Sequence, residues 1–372
     1  MKRAIRGISQ FCYVRVIKPL LFRVPPDTVH TRLMLVARSI GRWPLTLILT
    51  RLLWSHKSPL LSQEIAGLHF PNPIGLSAGF DKNVEVVPLM ESIGFGFVTG
   101  GSVTGYACAG NDKPWFHRLP EEKSIVVNAG LPNEGSEMIA ARLRRDAKTT
   151  ARHIPLLLSV ARTNSKQSST DNEAINDYAL GLVNLHPFAD AMEINISCPN
   201  TFGGEPFTEP SRLDALLTRL DSISRAGPTF VKMPSSLPWK EYDALLAVIA
   251  KHKIDGVTIS NLRKDRANID VAMEVKGNLS GKPTEALSNS LIGKTYRKYG
   301  TNLVIIGVGG VFSSRDAYEK IKQGASLVAL VTGLIFEGPQ LPGQVNAELE
   351  RLLRADGYTH ISQAIGAAHK EM

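Results

Sequence analysis

An α/β chain, folded as a (β/α)8 TIM barrel with a small N-terminal helical extension, is what the sequence predicts on three observations. Its 372 residues exceed the roughly 250 that such a barrel fills as one unit, which leaves room for one appendage. From about residue 65 onward, eight short apolar runs alternate with helical stretches. The first 57 residues differ in composition from the rest, being basic and apolar together. Domains are therefore expected at 1–57 and 58–372. Apolar residues at 43% and charged residues at 21% allow a packed core and exclude wholesale disorder.

In the first segment, eleven Lys/Arg face a single acid, Asp27, so it carries more than the whole net charge of +9. Such a distribution argues against nucleic acid as a partner, because the excess does not lie in a separate basic module. Arg23, Arg32, Arg38, Arg42 and Arg51 interrupt the apolar sequence, and no run reaches the roughly 18–20 residues that span a bilayer. Pro25-Pro26-Asp27 supplies a break and an N-cap, and Pro44 a second break, predicting helices near 8–22, 27–41 and 45–54. Amphipathic basic helices lie in the interface of an anionic membrane, each cation contributing about 1 kcal/mol. The alternative is a helical cap packed on the barrel with its arginines solvated.

Strands are expected at 74–78, 96–100, 155–161, 191–197, 229–233, 255–260, 303–307 and 327–332. Leu156-Leu157-Leu158 and Val304-Ile305-Ile306 are apolar on both faces, as parallel strands buried between a barrel interior and outer helices must be. Helical patterns at 84–93, 134–145, 171–185, 211–223, 239–252, 287–298 and 314–323 separate them.

Reactive groups of this fold collect at the carboxyl ends of the strands. Strand one leads into Ala78-Gly79-Phe80-Asp81-Lys82, strand two into Ser102, and strand three presents Ser159 and Arg162. Strand four carries Asn195 and leads to Cys198 and Asn200. Strand five ends in Lys232, six in Ser260-Asn261, seven in Gly307-Val308-Gly309-Gly310 and eight in Thr332-Gly333. Amides, hydroxyls and two lysines dominate, without carboxylate pairs or histidine clusters, and no metal is expected. The glycines after strands seven and eight suit phosphate bound by backbone N–H groups. Lys232 fits a core-edge lysine, a Schiff-base nucleophile or a cation facing an electron-rich ring. Asp81 and Lys82 are expected to form an ordinary ion pair.

Cys12, Cys108 and Cys198 have neither the pairing of a disulfide framework nor metal-site spacing, which points to a reducing compartment. Cys12 and Cys108 read as buried inert thiols. Cys198 stands apart in Asn195-Ile196-Ser197-Cys198-Pro199-Asn200, ahead of a flap-like Thr201-Phe202-Gly203-Gly204-Glu205. Near a lysine a thiolate can act as general base, while flanking amides hold a polar ring by hydrogen bonds.

These motifs, with 72–82, 110–114, 277–281, 305–310 and 324–328, resemble those of the dihydroorotate dehydrogenases, most closely the membrane-associated, quinone-reducing class, over about residues 14–350. The resemblance implies flavin mononucleotide (FMN) as cofactor, dihydroorotate as substrate with orotate as product, and a quinone as electron acceptor reached through the extension. It places the flavin against Ala78, Gly79, Lys82, Ser102, Asn195, Lys232, Ser260, Gly281, Gly310, Val331 and Thr332. The substrate would face Lys82, Asn128, Gly130, Leu131, Asn195, Asn200 and Asn261. Cys198 falls on the catalytic base, taking the proton from carbon 5 while hydride leaves carbon 6 for the flavin. A peripheral position on the cytoplasmic face of the inner membrane, held through residues 1–57, is expected.

The chain departs from that class in places. Cysteine is the habit of the soluble classes at the base, where the quinone-reducing class generally has serine. The substrate loop reads Val127-Asn128-Ala129-Gly130-Leu131, with its asparagine displaced by one position, and Leu262 replaces the usual threonine. The alternative readings are an FMN oxidoreductase of the same fold acting on another dihydropyrimidine-like or enone substrate, and a redox-silent phosphate-binding barrel.

Overall fold

In the computed structural model, which describes residues 2–147 and 152–370, the expected strands close into a parallel barrel. They are β1 Ile74–Leu76, β2 Phe97–Thr104, β3 Leu156–Ala161, β4 Ala191–Asn195, β5 Thr229–Lys232, β6 Gly256–Ile259, β7 Val304–Val308 and β8 Leu327–Leu330. Each pairs in parallel with the next, and β8 returns to β1. Phe97, Leu157, Ala191, Phe230, Ile306 and Leu327 fill the lower interior. An antiparallel hairpin of Gln63–Ile65 and Leu68–Phe70 plugs that end, with Phe70 edge-on to Phe97 at 5.6 Å. The apolar plug leaves the carboxyl ends of the strands as the open mouth.

The outer layer consists of α5 Val87–Ile93, α6 Ser136–Asp146, α7 Asp171–Leu185, α8 Pro210–Asp221, α9 Trp239–Ile249, α10 Glu285–Tyr299, α11 Ser314–Lys322, α12 Thr332–Glu337 and α13 Leu341–Ala355. Helix α7 shows why these segments are helical. Thr170 and Glu173 form a reciprocal capping box, and Ala174, Tyr178, Leu182 and Leu185 bury one stripe at helical spacing.

The extension is α1 Lys2–Cys12, which runs through a π-helical turn, Tyr13–Ile17, into α2 Lys18–Phe22, followed by α3 Pro26–Ile40 and α4 Pro44–Trp54. The first helix therefore starts at Lys2 and not at residue 8, because Ile5, Arg6, Ser9 and Gln10 are only partly exposed or buried. Arg6 donates to Trp54 O at 3.4 Å, and Tyr13 Oη to Ile335 O at 2.7 Å. The expected N-cap at Asp27 is corrected too. Pro25 occupies the cap, and the Asp27 carboxylate accepts the Trp115 N–H at 3.1 Å, tying α3 to the mouth.

Arg38–Glu85 and Arg51–Glu91 ion pairs, both at 2.8 Å, fasten α3 and α4 to the barrel. Apolar side chains of all four helices remain exposed, among them Phe11, Leu20, Leu35, Trp43, Leu45 and Ile48. Among the described residues no single helix is long and apolar enough to cross a membrane, and α3 and α4 meet at 106°. Cys12, expected to be buried, is exposed on α1, whereas Cys108 is buried.

A feature outside the sequence expectation covers part of the mouth. Phe116–Leu119, Ser124–Val127 and Asn278–Leu279 form a three-stranded antiparallel sheet.

Candidate active site

The strand ends and the covering sheet enclose one cavity of about 230 Å³ that runs from α3 to the barrel axis. At the α3 end its walls are Pro26, Val29, His30 and Leu33, which share one helix face by their three- and four-residue spacing. At the inner end they are Lys82, Asn195, Cys198, Asn200, Lys232 and Asn261. A second lobe of about 100 Å³ lies between the ends of β6, β7 and β8 and shares Ala78, Lys232, Asn261, Val331 and Thr332 with the first.

A polar ring lines the inner end. Asn195 Nδ2 donates to Ser102 Oγ at 2.8 Å, and Ser102 shares a hydrogen with Ser159 at 2.8 Å. Asn261 Nδ2 donates to Ser197 O at 2.6 Å, and Ser197 Oγ to Lys232 O at 2.9 Å. Buried Tyr178 donates to Asn195 O at 2.7 Å, so the end of β4 is held from below. Amides held on a hydroxyl and on a backbone carbonyl resist rotation, which preorganises the ring for a planar polar ligand.

Cys198 is half-buried, three residues beyond β4. Burial pushes its thiol up to about 11, with the Asn200 N–H and Lys232 pulling down and Glu205 and Cys108 pushing up. The flap after it is pinned by three side chains from outside it. Arg162, buried at the end of β3, donates to the carbonyls of Phe202 and Gly204, Asn164 Oδ1 accepts the Phe202 N–H at 2.6 Å, and Glu205 pairs with Lys264.

Asp81 and Lys82 do not form the expected ion pair. Neighbours in sequence, they face different partners: the Asp81 carboxylate accepts the N–H groups of Glu85 and Val86 at 2.8 and 2.9 Å, while Lys82 Nζ donates to His30 Nε2 at 3.3 Å. Burial lowers Lys82 to about 8. Burial and then the Lys82 charge lower His30 to about 3, so its imidazole is neutral and accepts.

Of the residues singled out from the sequence, Ala78, Gly79, Lys82, Ser102, Gly130, Leu131, Asn195, Cys198, Asn200, Lys232, Asn261, Val331 and Thr332 line the main cavity. Ser260, Gly281 and Gly310 line the second lobe. Asn128 is not among the residues that line the main cavity. The two-residue strand period turns Ile125 and Val127 toward the cavity, and the Asn128 side chain, off that face, accepts from Asn111 Nδ2 at 3.1 Å. His30, Phe116 and Arg118 of the wall were not foreseen. Arg118 donates to Val24 O at 2.8 Å and stacks over Phe22 at 4.5 Å, closing the wall beside α2.

The second lobe is shaped for a group that approaches the backbone closely. Gly309 and Gly310 have φ of +112° and +75°, and a Cβ at either would overlap Thr284 or Glu285. Thr332 Oγ1 meets Ser280 Oγ at 3.0 Å across the lobe. A phosphate tail in this lobe and a flat ring over Asn195, Ser102 and Lys232 fit the two parts of a flavin nucleotide.

A family model described as dihydroorotate dehydrogenase matches residues 60–353. The chain is similar to the "Dihydroorotate dehydrogenase (quinone)" of Gloeobacter violaceus, at 34% identity over 95% of this chain and 98% of the relative. It is 36% identical to the protein of the same name from Anaeromyxobacter dehalogenans, over 95% of this chain and 97% of the relative. Among solved structures it resembles ligand-free dihydroorotate dehydrogenase from Eimeria tenella, with a TM-score of 0.84 and 28% identity, covering 93% of this chain and 100% of the other.

Proposed function

The chain belongs to the dihydroorotate dehydrogenase family, and from that premise we propose how its residues divide the work. It is an oxidoreductase of pyrimidine synthesis that oxidises dihydroorotate to orotate and reduces a quinone. The observation that carries the reading is the cavity that joins the extension to the barrel axis. Its two ends differ in chemistry: amides and two lysines inside, Pro26, Val29, His30 and Leu33 outside.

FMN is the cofactor in this reading, and when bound it supplies the hydride acceptor and stores the electrons between the two half-reactions. Gly309 and Gly310, with Ser260, Gly281 and Thr332, would hold its phosphate. Asn195, Ser102 and Val331 would hold the ring, and Ala78 and Gly79 would flank it. Lys232 would place a cation where negative charge develops, a stabilisation larger in a desolvated site than in water. Asn200, Asn195 and Asn261 would bind the substrate's ring amides, with Gly130 and Leu131 closing over it. Lys82 would leave His30 to pair with its carboxylate.

Cys198 would remove the proton from carbon 5. The pinned flap keeps its thiol beside the substrate and excludes water. The quinone would enter between α3 and the covering sheet. The exposed apolar side chains of α1 to α4, with the excess of Lys and Arg in that segment, support peripheral contact with an anionic membrane at the cytoplasmic face of the inner membrane.

Anaerobic titration of the flavin-loaded protein with dihydroorotate tests this reading. Stoichiometric loss of the oxidised flavin's visible absorbance, reversed by a quinone, is the expected result. Intact flavin that dihydroorotate leaves unreduced would refute it.

A further inference from the structure

Lys320 is fully buried in α11, outside the cavity walls. Its ammonium donates to Ser288 Oγ at 3.0 Å and Asn289 Oδ1 at 2.8 Å, both on α10. It has no ion pair among the described residues. The nearest acids, Glu285 and Asp316, are engaged by Lys282. A buried ammonium without a counter-charge is costly, and burial lowers Lys320 to about 7, against the raising effects of Glu285, Asp316 and Glu319 and together with Lys282.

Its position suggests what the charge is for. The lysine stem runs behind β7, where a Cβ on Gly307 would sit 3.3 Å from Lys320 Cδ. Ser288 Oγ, held by the ammonium, donates to Val308 O at 2.6 Å, and the Ser260 N–H donates to the same carbonyl at 3.3 Å. That carbonyl belongs to the peptide whose N–H is carried by Gly309. In a planar trans peptide the two point in opposite directions, so drawing the carbonyl toward Ser288 turns the Gly309 N–H away from it. Gly309 and Gly310 line the second lobe, and among the described residues their N–H groups have no protein acceptor.

We propose that Lys320 is the buried counter-charge for the flavin phosphate, acting through Ser288 and the Val308–Gly309 peptide on the far side of β7. Lys320 is a positioning residue: it touches neither flavin nor substrate, but orients a donor and places a cation behind it. The inference rests on the flavin reading above, since it requires the phosphate to lie in the second lobe.

The test compares flavin mononucleotide with riboflavin, which lacks the phosphate. Full-length protein reconstituted with each is diluted, and released flavin is read by fluorescence. Wild type is expected to hold the nucleotide about 100-fold more tightly than riboflavin. Lys320→Met should lose about tenfold or more of the affinity for the nucleotide and change riboflavin by no more than about twofold. Ser288→Ala, which keeps the cation and cuts the relay, should lose part of the same preference and serves as the second variant should Lys320→Met fold poorly. Equal weakening of both flavins, as a merely structural role predicts, would overturn the proposal, as would an undiminished preference in both variants. A wild type that holds both flavins equally would remove the phosphate reading itself, and the proposal with it.

Discussion

Raising the pH from 7 to 9 perturbs the step assigned to Cys198 without changing a residue. Burial holds the thiol at about 11, so in this range the thiolate fraction, and with it the general-base rate, grows tenfold per pH unit. The limiting rate of flavin reduction at saturating dihydroorotate should therefore rise about 100-fold between pH 7 and 9. Lys82 moves the other way. Held near 8 by burial, its ammonium is charged below that pH and progressively neutral above it, so apparent substrate affinity should weaken from pH 8 upward while the limiting rate still climbs. Anaerobic stopped-flow measurement of flavin absorbance, over a range of dihydroorotate concentrations at each pH, separates the two effects. A limiting rate that levels off below pH 8, or that rises equally in Cys198→Ala, would refute the assignment.

Six variants give further expected outcomes. Cys198→Ala should keep its flavin and slow its reduction by about 10²–10⁴-fold, and Cys198→Ser should retain part of the rate with a profile displaced to higher pH, both read in the same stopped-flow assay. Gly310→Ala, whose new methyl would meet Glu285 from a backbone at φ +75°, should lose flavin affinity by about tenfold or more in fluorescence titration. Asn128→Ala should shift the KM for dihydroorotate by no more than about threefold, because its amide faces Asn111, whereas Asn200→Ala should raise it roughly tenfold or more. Replacing exposed Leu45, Ile48 and Leu49 of α4 together with glutamate should abolish sedimentation with anionic vesicles and leave flavin reduction by dihydroorotate intact.

The barrel was legible because its strands are apolar on both faces and its helices carry one stripe each, two periods that do not resemble one another. The strand-end residues followed from that register: once Leu156–Ala161 and Val304–Val308 are strands, Ser159 and Gly309 must lie at the mouth. The covering sheet was not legible. Ser124–Val127 is four residues long and pairs with Asn278–Leu279 some 150 positions away, and neither segment carries a local signal strong enough to announce the pairing. Asn128 directly follows Ser124–Val127, one residue off the face that Ile125 and Val127 turn to the cavity. His30 escaped notice as a single polar residue on an apolar helix face, and Lys320 because an EKIK stretch in an amphipathic helix reads as solvated surface.

A crystal structure of the flavin-loaded protein with orotate bound decides where the thiol stands relative to the reacting carbon. The orotate ring should stack on the flavin, with Cys198 Sγ on its opposite face about 3–3.5 Å from carbon 5. A thiol turned toward Cys108, with orotate held away from Asn195, Asn200 and Asn261, would contradict it.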